Sequence, residues 1–322
     1  MKLRREALLV AVAGGLVVIG VNGAIFFTIF PGLAEAAPLL AQLSHLPVSG
    51  DRYEPPPAPD FLTALRARSV AASAEWPVPH SLLRYHATEV VPLASLTKLM
   101  TALVALGRSP NWSAVVTMAS QDIRGGAARR FFPGDRLTEE DLWQAMLVGS
   151  DNDAAAAFVR ELGLPEADFV AAMNRKAAAF GLERTRFTDP TGLDQGNVST
   201  AREFAQVARV AFQNERIAAT VAQPEVTIAV NGRPLVVRSS DQQLKSFQDV
   251  RRDGWAFVTG KTGYLTESGD NVALLGEGLS DRRILLVLLG APTTEDRVHD
   301  VAALMRWAVA VDDGPTTSAA GR

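Results

Sequence analysis

Three short groups of residues hold the chemistry this chain can do. In Ser95-Leu96-Thr97-Lys98 the i,i+3 spacing puts a hydroxyl and an amine on one helix face, about one turn apart. An amine whose pKa is lowered by burial and a second cation takes the proton of a serine near neutral pH and makes it a nucleophile. By itself the pattern reads equally as a serine-capped helix with a surface lysine. Ser150-Asp151-Asn152 falls between two helical stretches, where a hydroxyl relays a proton and an amide grips a peptide, or where the same residues merely cap the next helix. Lys261-Thr262-Gly263, followed by Tyr264, closes a strand and offers a carboxylate a cation, a hydroxyl and a residue small enough for close backbone approach. Alone, it is also the edge-blunting lysine of an ordinary sheet.

These groups need helices first and strands later, and the periodicities agree. Leu99, Leu103 and Leu106 repeat at helical spacing up to Gly107, and Thr138 with Asp141 resembles a capping pair for a helix to about Val148. Further helices are expected over Asp153 to Leu162, Glu166 to Phe180, and from the Thr200/Glu203 capping box to Phe212. The period then changes. Val226–Val230 and Pro234–Arg238 flank Asn231-Gly232, a hairpin signature, and Trp255–Gly260, Asn271–Leu275 and Arg283–Leu289 read as strands before a closing helix over Glu295–Val309. Successive strands with short links imply an α+β fold, with an antiparallel sheet flanked by helices plus a helical subdomain.

The 322 residues carry a net charge of -3, which gives no electrostatic case for nucleic acid. The absence of cysteine excludes disulfides, thiolate zinc sites and a cysteine nucleophile. His45, His80, His86 and His299 form no i,i+4 pair, so a histidine-rich metal site has little support. Residues 1–6 carry Lys2, Arg4 and Arg5, and the run 7–30 is free of charge. As a helix it would extend roughly 36 Å, enough to cross a bilayer. The positive-inside rule then places the N-terminus in the cytoplasm and the rest of the chain outside the cytoplasmic membrane, on the periplasmic side. Ala34-Glu35-Ala36 offers the rival reading of a cleaved signal peptide, and a buried soluble helix fits an uncharged run of this length poorly. A Pro-rich linker over 31–60, stiffest at Pro55-Pro56-Pro57, leads to a catalytic domain over 61–312 and a disordered tail over 313–322.

Serine-x-x-lysine, serine-aspartate-asparagine and lysine-threonine-glycine, in this order, form the set shared by β-lactamases and penicillin-binding proteins. The chain resembles the low-molecular-mass penicillin-binding proteins of the D-alanyl-D-alanine carboxypeptidase and endopeptidase family, through Pro92–Ala102, Ser150–Ala155, Thr185–Asp194 with Ser199-Thr200-Ala201, and Gly260–Tyr264 with Glu267-Ser268-Gly269. The resemblance implies a β-lactamase/transpeptidase-like fold. It also implies a serine D-Ala-D-Ala carboxypeptidase that works on the peptidoglycan pentapeptide through an acyl-enzyme, needs no cofactor and is inhibited by β-lactams. In that reading Ser95 is acylated and Lys98 is its base, with Lys261 helping to keep Lys98 deprotonated. Ser150 passes a proton to the leaving D-alanine, Asn152 holds the acyl chain, and Thr262 meets the terminal carboxylate. Gly263 allows the close approach, and the backbone N–H groups of Ser95 and Tyr264 form an oxyanion hole. Asp151, Tyr264 and Pro292 depart from residues common in relatives, glycine, histidine and a carboxylate-binding arginine respectively. No hairpin is legible between Arg66 and Val91. Three alternatives remain open at this point: a cross-link-cleaving D,D-endopeptidase, a β-lactamase, and a wall-binding protein without catalysis. The oligomeric state is also open.

Overall fold

The computed structural model describes residues 9–13, 16–21, 24–29, 60–75, 79–126, 129–242, 254–278 and 282–312. The chain divides into two units, Met1–Glu54 and Pro55–Arg322. In the first, strands β1 (Leu9–Ala13), β2 (Leu16–Val21) and β3 (Ala24–Ile29) form an antiparallel meander. The described residues of the run 7–30, where a membrane-spanning helix is expected, are strands and include no helix. No helix among the described residues is long and apolar enough to cross a membrane. The strands are rich in valine and isoleucine, whose branched side chains favour extended backbone. In sequence they are separated by Gly14-Gly15 and Asn22-Gly23, pairs that suit two-residue hairpin connections. Residues 1–6, the linker up to residue 59, and the tail 313–322 lie outside the described residues.

The second unit is built on a five-stranded antiparallel sheet in the order β12-β13-β14-β4-β5. Its strands are β4 (Ser69–Ala74), β5 (His80–Tyr85), β12 (Trp255–Leu265), β13 (Gly269–Gly278) and β14 (Arg283–Ala291). Between them in the chain come three two-stranded pairs: β6 (Val91–Pro92) with β9 (Val198–Ser199), β7 (Val115–Thr117) with β8 (Arg136–Thr138), and the hairpin β10 (Glu225–Val230) with β11 (Arg233–Arg238). In β14 the side chains alternate between two cores. Leu285, Val287 and Leu289 face the helical subdomain, while Ile284, Leu286 and Leu288 face the C-terminal helix. That double burial explains why the strand reads as an unbroken apolar run. The hairpin not legible between Arg66 and Val91 is β4–β5. Its first strand, Ser-Val-Ala-Ala-Ser-Ala, is made of small residues with little strand propensity of their own, and it is held by pairing with β14.

On one face lie helices α1 (Thr97–Leu106), α2 (Glu139–Leu147), α3 (Asn152–Glu161), α4 (Glu166–Ala179), α5 (Ala201–Gln213) and α6 (Glu215–Ala222). Thr138 and Thr200 cap α2 and α5 through the N–H groups of Asp141 and Glu203. The first is a full capping box, while the Glu203 carboxylate turns instead to the Arg184 N–H and the Thr185 hydroxyl. Helix α5 turns Phe204, Val207, Ala208, Ala211 and Phe212 to the core, the spacing of one helical stripe. Helix α1 is different, because every residue from Thr97 to Ala105 is buried. It runs through the middle of the subdomain, packed against α4 and α5. Helix α7 (Thr294–Asp312) covers the other face with Val301, Leu304, Met305 and Ala308. The buried Asp300 of α7 accepts the backbone N–H groups of Arg66 and Ala67, tying the start of the domain to its end.

Leu286 is fully buried in the centre of the sheet. Its replacement by alanine leaves a cavity between β14 and α7, and urea denaturation of Leu286→Ala is expected to show a loss of about 2–5 kcal/mol.

Candidate active site

Ser95 occupies a 3₁₀ turn, Ala94–Leu96, that leads directly into α1. The N-cap of α1 is Leu96, without a side-chain cap, so the serine is free of the capping role its position suggested. Ala94 has φ +49°, a left-handed conformation that costs free energy for any residue but glycine. Two glycines allow this turn to be gripped from both sides. A Cβ on Gly192, itself at φ +87°, would come within 2.0 Å of the Ala94 carbonyl oxygen. A Cβ on Gly263 would come within 2.7 Å of the Ser95 backbone nitrogen. The edge strand β12 therefore lies against Ser95, and the Lys-Thr-Gly group sits inside that strand rather than after a strand ending at Gly260.

One turn on, Lys98 is fully buried, and its Nζ is 2.9 Å from Ser95 Oγ. Nζ also reaches Asn152 Oδ1 at 2.7 Å and the Thr191 carbonyl oxygen at 2.6 Å. The Asn152 amide is oriented by its other end, because Nδ2 donates to the Gly125 carbonyl at 2.8 Å. Two of the amine's three neighbours can thus only accept. A neutral amine has two N–H donors and one lone pair, so the donors go to Asn152 and Thr191 and the lone pair faces the Ser95 hydroxyl. Burial lowers the Lys98 pKa to about 7, against the opposing pull of Asp151 and Asp189. The positive end of α1, where Lys98 is the second residue, works in the same direction as burial.

Ser150 forms the corner between α2 and α3, with φ +56°. Its Oγ accepts from Lys261 Nζ at 2.7 Å, and the same nitrogen donates to the Thr262 carbonyl at 2.9 Å. Lys261 thus serves Ser150, and the largest cause of the low Lys98 pKa is desolvation rather than a second cation. Asn152 begins α3 and is not part of a loop. Asp151 caps that helix with one oxygen, 2.9 Å from the Ala154 nitrogen, and takes Arg130 with the other, also at 2.9 Å.

A cleft of about 910 Å³ joins these parts, and Ser95, Ser150, Asn152, Thr262, Gly263 and Tyr264 line it. Lys98 and Lys261 stand behind the wall and reach it through their hydrogen bonds. All eight residues singled out in the sequence meet here, while Pro292 is not among the lining residues. The motifs missed the turn around Asp189. Its carboxylate accepts from Gly192 N and Asp194 N at 2.8 Å and from Asn197 Nδ2 at 2.6 Å, and so it holds the Thr191 carbonyl against Lys98. The Asp-Pro-Thr-Gly sequence marks a turn, but nothing in it says that a backbone carbonyl would be the functional atom. Ser240, whose Oγ is 3.3 Å from Thr262 Oγ1, also escaped notice, because it follows a strand with no motif of its own.

The profile of the family described as D-alanyl-D-alanine carboxypeptidase matches residues 80–293. A D-alanyl-D-alanine endopeptidase of Pseudomonas aeruginosa is 30% identical over 223 residues, 68% of this chain and 69% of that protein. The crystal structure of a D-alanyl-D-alanine carboxypeptidase from Mycobacterium tuberculosis superposes with a TM-score of 0.68 at 25% identity, covering 80% of this chain and 94% of that one. Penicillin-binding protein D2 of Listeria monocytogenes, in its ampicillin-bound form, gives a TM-score of 0.62 at 27% identity, covering 75% and 96%.

A base that titrates near neutrality sets a pH profile. Acylation of Ser95 by penicillin is expected to rise with pH through about 7, as Lys98 loses its proton, and then to level off. Asn152→Asp places a carboxylate 2.7 Å from that amine and favours its charged form. Stopped-flow acylation should show the rise displaced to higher pH, with the rate at neutral pH reduced by about tenfold or more.

Proposed function

This chain belongs to the D-alanyl-D-alanine carboxypeptidase family, and we propose that it removes the terminal D-alanine of peptidoglycan stem pentapeptides through an acyl-enzyme on Ser95. The observation that carries this reading is the 2.9 Å contact between a buried amine and a serine hydroxyl, with the other donors of the amine taken up by acceptors. Ser95 Oγ attacks the D-Ala–D-Ala carbonyl as its proton passes to Lys98. The N–H groups of Ser95 and Tyr264 stabilise the oxyanion, a contribution of about two to three orders of magnitude in rate. Ser150, polarised by Lys261, delivers a proton to the departing amine and is reprotonated by Lys98, which thereby returns to its neutral form. Asn152 steadies the acyl chain and Thr262 meets the carboxylate. Water, deprotonated by Lys98, then releases the shortened peptide. No step calls on a cofactor.

The same machinery serves a D,D-endopeptidase. The open cleft and the similarity to the Pseudomonas endopeptidase support cross-linked peptides as further substrates. A penicillin-hydrolysing role finds no support in the loop facing Lys98. Both oxygens of Asp189 are occupied by the turn they hold, so that carboxylate has no capacity left to activate water. The assembled hydroxyl, amine and relay speak equally against a wall-binding protein without catalysis.

Residues 7–30 support attachment of this domain to the outer face of the cytoplasmic membrane. In hydrocarbon an open three-stranded meander leaves unpaired edge groups, whereas a helix satisfies its own backbone, so the lipid environment favours the helical form of this segment. Full-length protein is expected to sediment with membranes, and protein beginning at Asp60 to remain in the supernatant; equal distribution of the two would refute the anchor.

Mass spectrometry of muropeptides tests the activity. Incubation with pentapeptide monomers should remove one D-alanine, Ser95→Ala should abolish the change, and penicillin should leave a stable adduct on the peptide that contains Ser95. Conversion of cross-linked dimers to monomers would extend the assignment to the endopeptidase. Intact pentapeptide after prolonged incubation would sink the proposal.

A further inference from the structure

Among the described residues three arginines line the cleft, Arg130, Arg238 and Arg297, and their surroundings differ. Arg297 is buried, with a side chain 4% exposed, between Asp241 at 3.3 Å and Asp270 at 3.4 Å, so its charge is outnumbered by carboxylates of the protein itself. Arg238 is 75% exposed and lies 3.6 Å from Glu225, on the open rim where solvent and its own flexibility weaken any contact. Arg130 is 25% exposed and fixed at one nitrogen, Nη1, by the buried Asp151 at 2.9 Å. Its other donors have no hydrogen-bond partner among the described residues. The guanidinium lies close to the backbone of the α2–α3 corner. A Cβ on Gly149 would come 3.6 Å from the Arg130 guanidinium carbon, so the planar head lies beside the residue that precedes Ser150.

That neighbourhood has a direction. Ser150 is the residue expected to protonate the leaving amine, and Lys261 approaches it from β12. A guanidinium next to Gly149 therefore stands on the side of the departing residue. Its planar fork matches a carboxylate, and a partly buried site strengthens such a pair over its value in water. Asp151 contributes by orientation. With one oxygen on the α3 backbone and one on Arg130, it locks the cation to the same corner that carries Ser150.

Resting on the peptidase reading above, we propose that Arg130, held by Asp151, is the specificity-determining residue that binds the terminal carboxylate of the scissile dipeptide. Thr262 meets that carboxylate with a neutral hydroxyl, and Arg130 adds the positive charge that sets the preference for a free acid at the chain end.

The test compares N-acylated peptides that end in D-Ala-D-Ala as the free acid or as the carboxamide, with wild-type protein, Arg130→Gln and Arg130→Lys. The wild type is expected to favour the acid. R130Q should lose about ten- to a hundredfold in kcat/KM on the acid, chiefly through KM, and change little on the amide, so that the preference collapses. R130K, which retains charge but not the fork, should fall between. Acylation of Ser95 by a penicillin methyl ester, which has no free carboxylate, should be unchanged in both variants and reports a folded site. If R130Q does not fold, the same drop in the acid-to-amide ratio must appear in R130K. A wild type without acid preference, or equal losses on acid and amide, would overturn the assignment. So would an effect that follows a side-chain carboxylate on the residue before the dipeptide. A wild-type protein that is acylated by penicillin and cleaves both peptides alike defeats only the role of Arg130; one that reacts with none of these compounds defeats the peptidase reading as well.

Discussion

The site depends on one buried amine. A lysine with no exposed surface must either find anions or give up its proton, because an unpaired charge in a low-dielectric interior is prohibitively costly. The groups placed at hydrogen-bonding distance from Lys98 are a hydroxyl, an amide oxygen and a peptide carbonyl, none of them charged. Neutrality is the cheaper state, and the lone pair it creates points at the only neighbour with a proton to give. The rest of the architecture can be read as the support this requires. Helix α1, buried from Thr97 to Ala105, carries that amine into the core, and α3, started by the Asp151 cap, presents Asn152 to it.

The chemistry was more legible in the sequence than the scaffold around it. Ser95, Lys98, Ser150, Asn152 and Lys261 declare themselves because side chains do their work and spacing is visible in one dimension. Helices with side-chain N-caps, such as those begun by Thr138 and Thr200, were legible for the same reason. The Thr191 carbonyl could not be found this way, since every residue owns such an oxygen and only the tertiary turn at Asp189 selects this one. The hairpin of β4 and β5 was hidden because its strands derive their stability from β14 rather than from their own residues. The short apolar runs of residues 7–30 are ambiguous in principle, as a valine-rich segment broken by glycine pairs suits extended backbone in water and helix in lipid.

Glycines at 192 and 263 show how local and global demands are reconciled. Each admits a neighbouring backbone into space that a side chain would fill, and together they clamp a turn whose Ala94 conformation is unfavourable on its own. The strain persists because β12 on one side and the Asp189 loop on the other leave the turn nowhere to relax. Held in this way, the Ser95 hydroxyl needs no movement to meet the Lys98 amine.

Strand β12 borders the sheet, with β13 on one flank and the cleft on the other. A border of this kind selects by shape before it selects by chemistry: whatever is cut must first lie down as a ribbon alongside it. Compact proteins keep their backbones folded away and present no such ribbon, so a hydrolase built on this border can work in their midst and leave them whole.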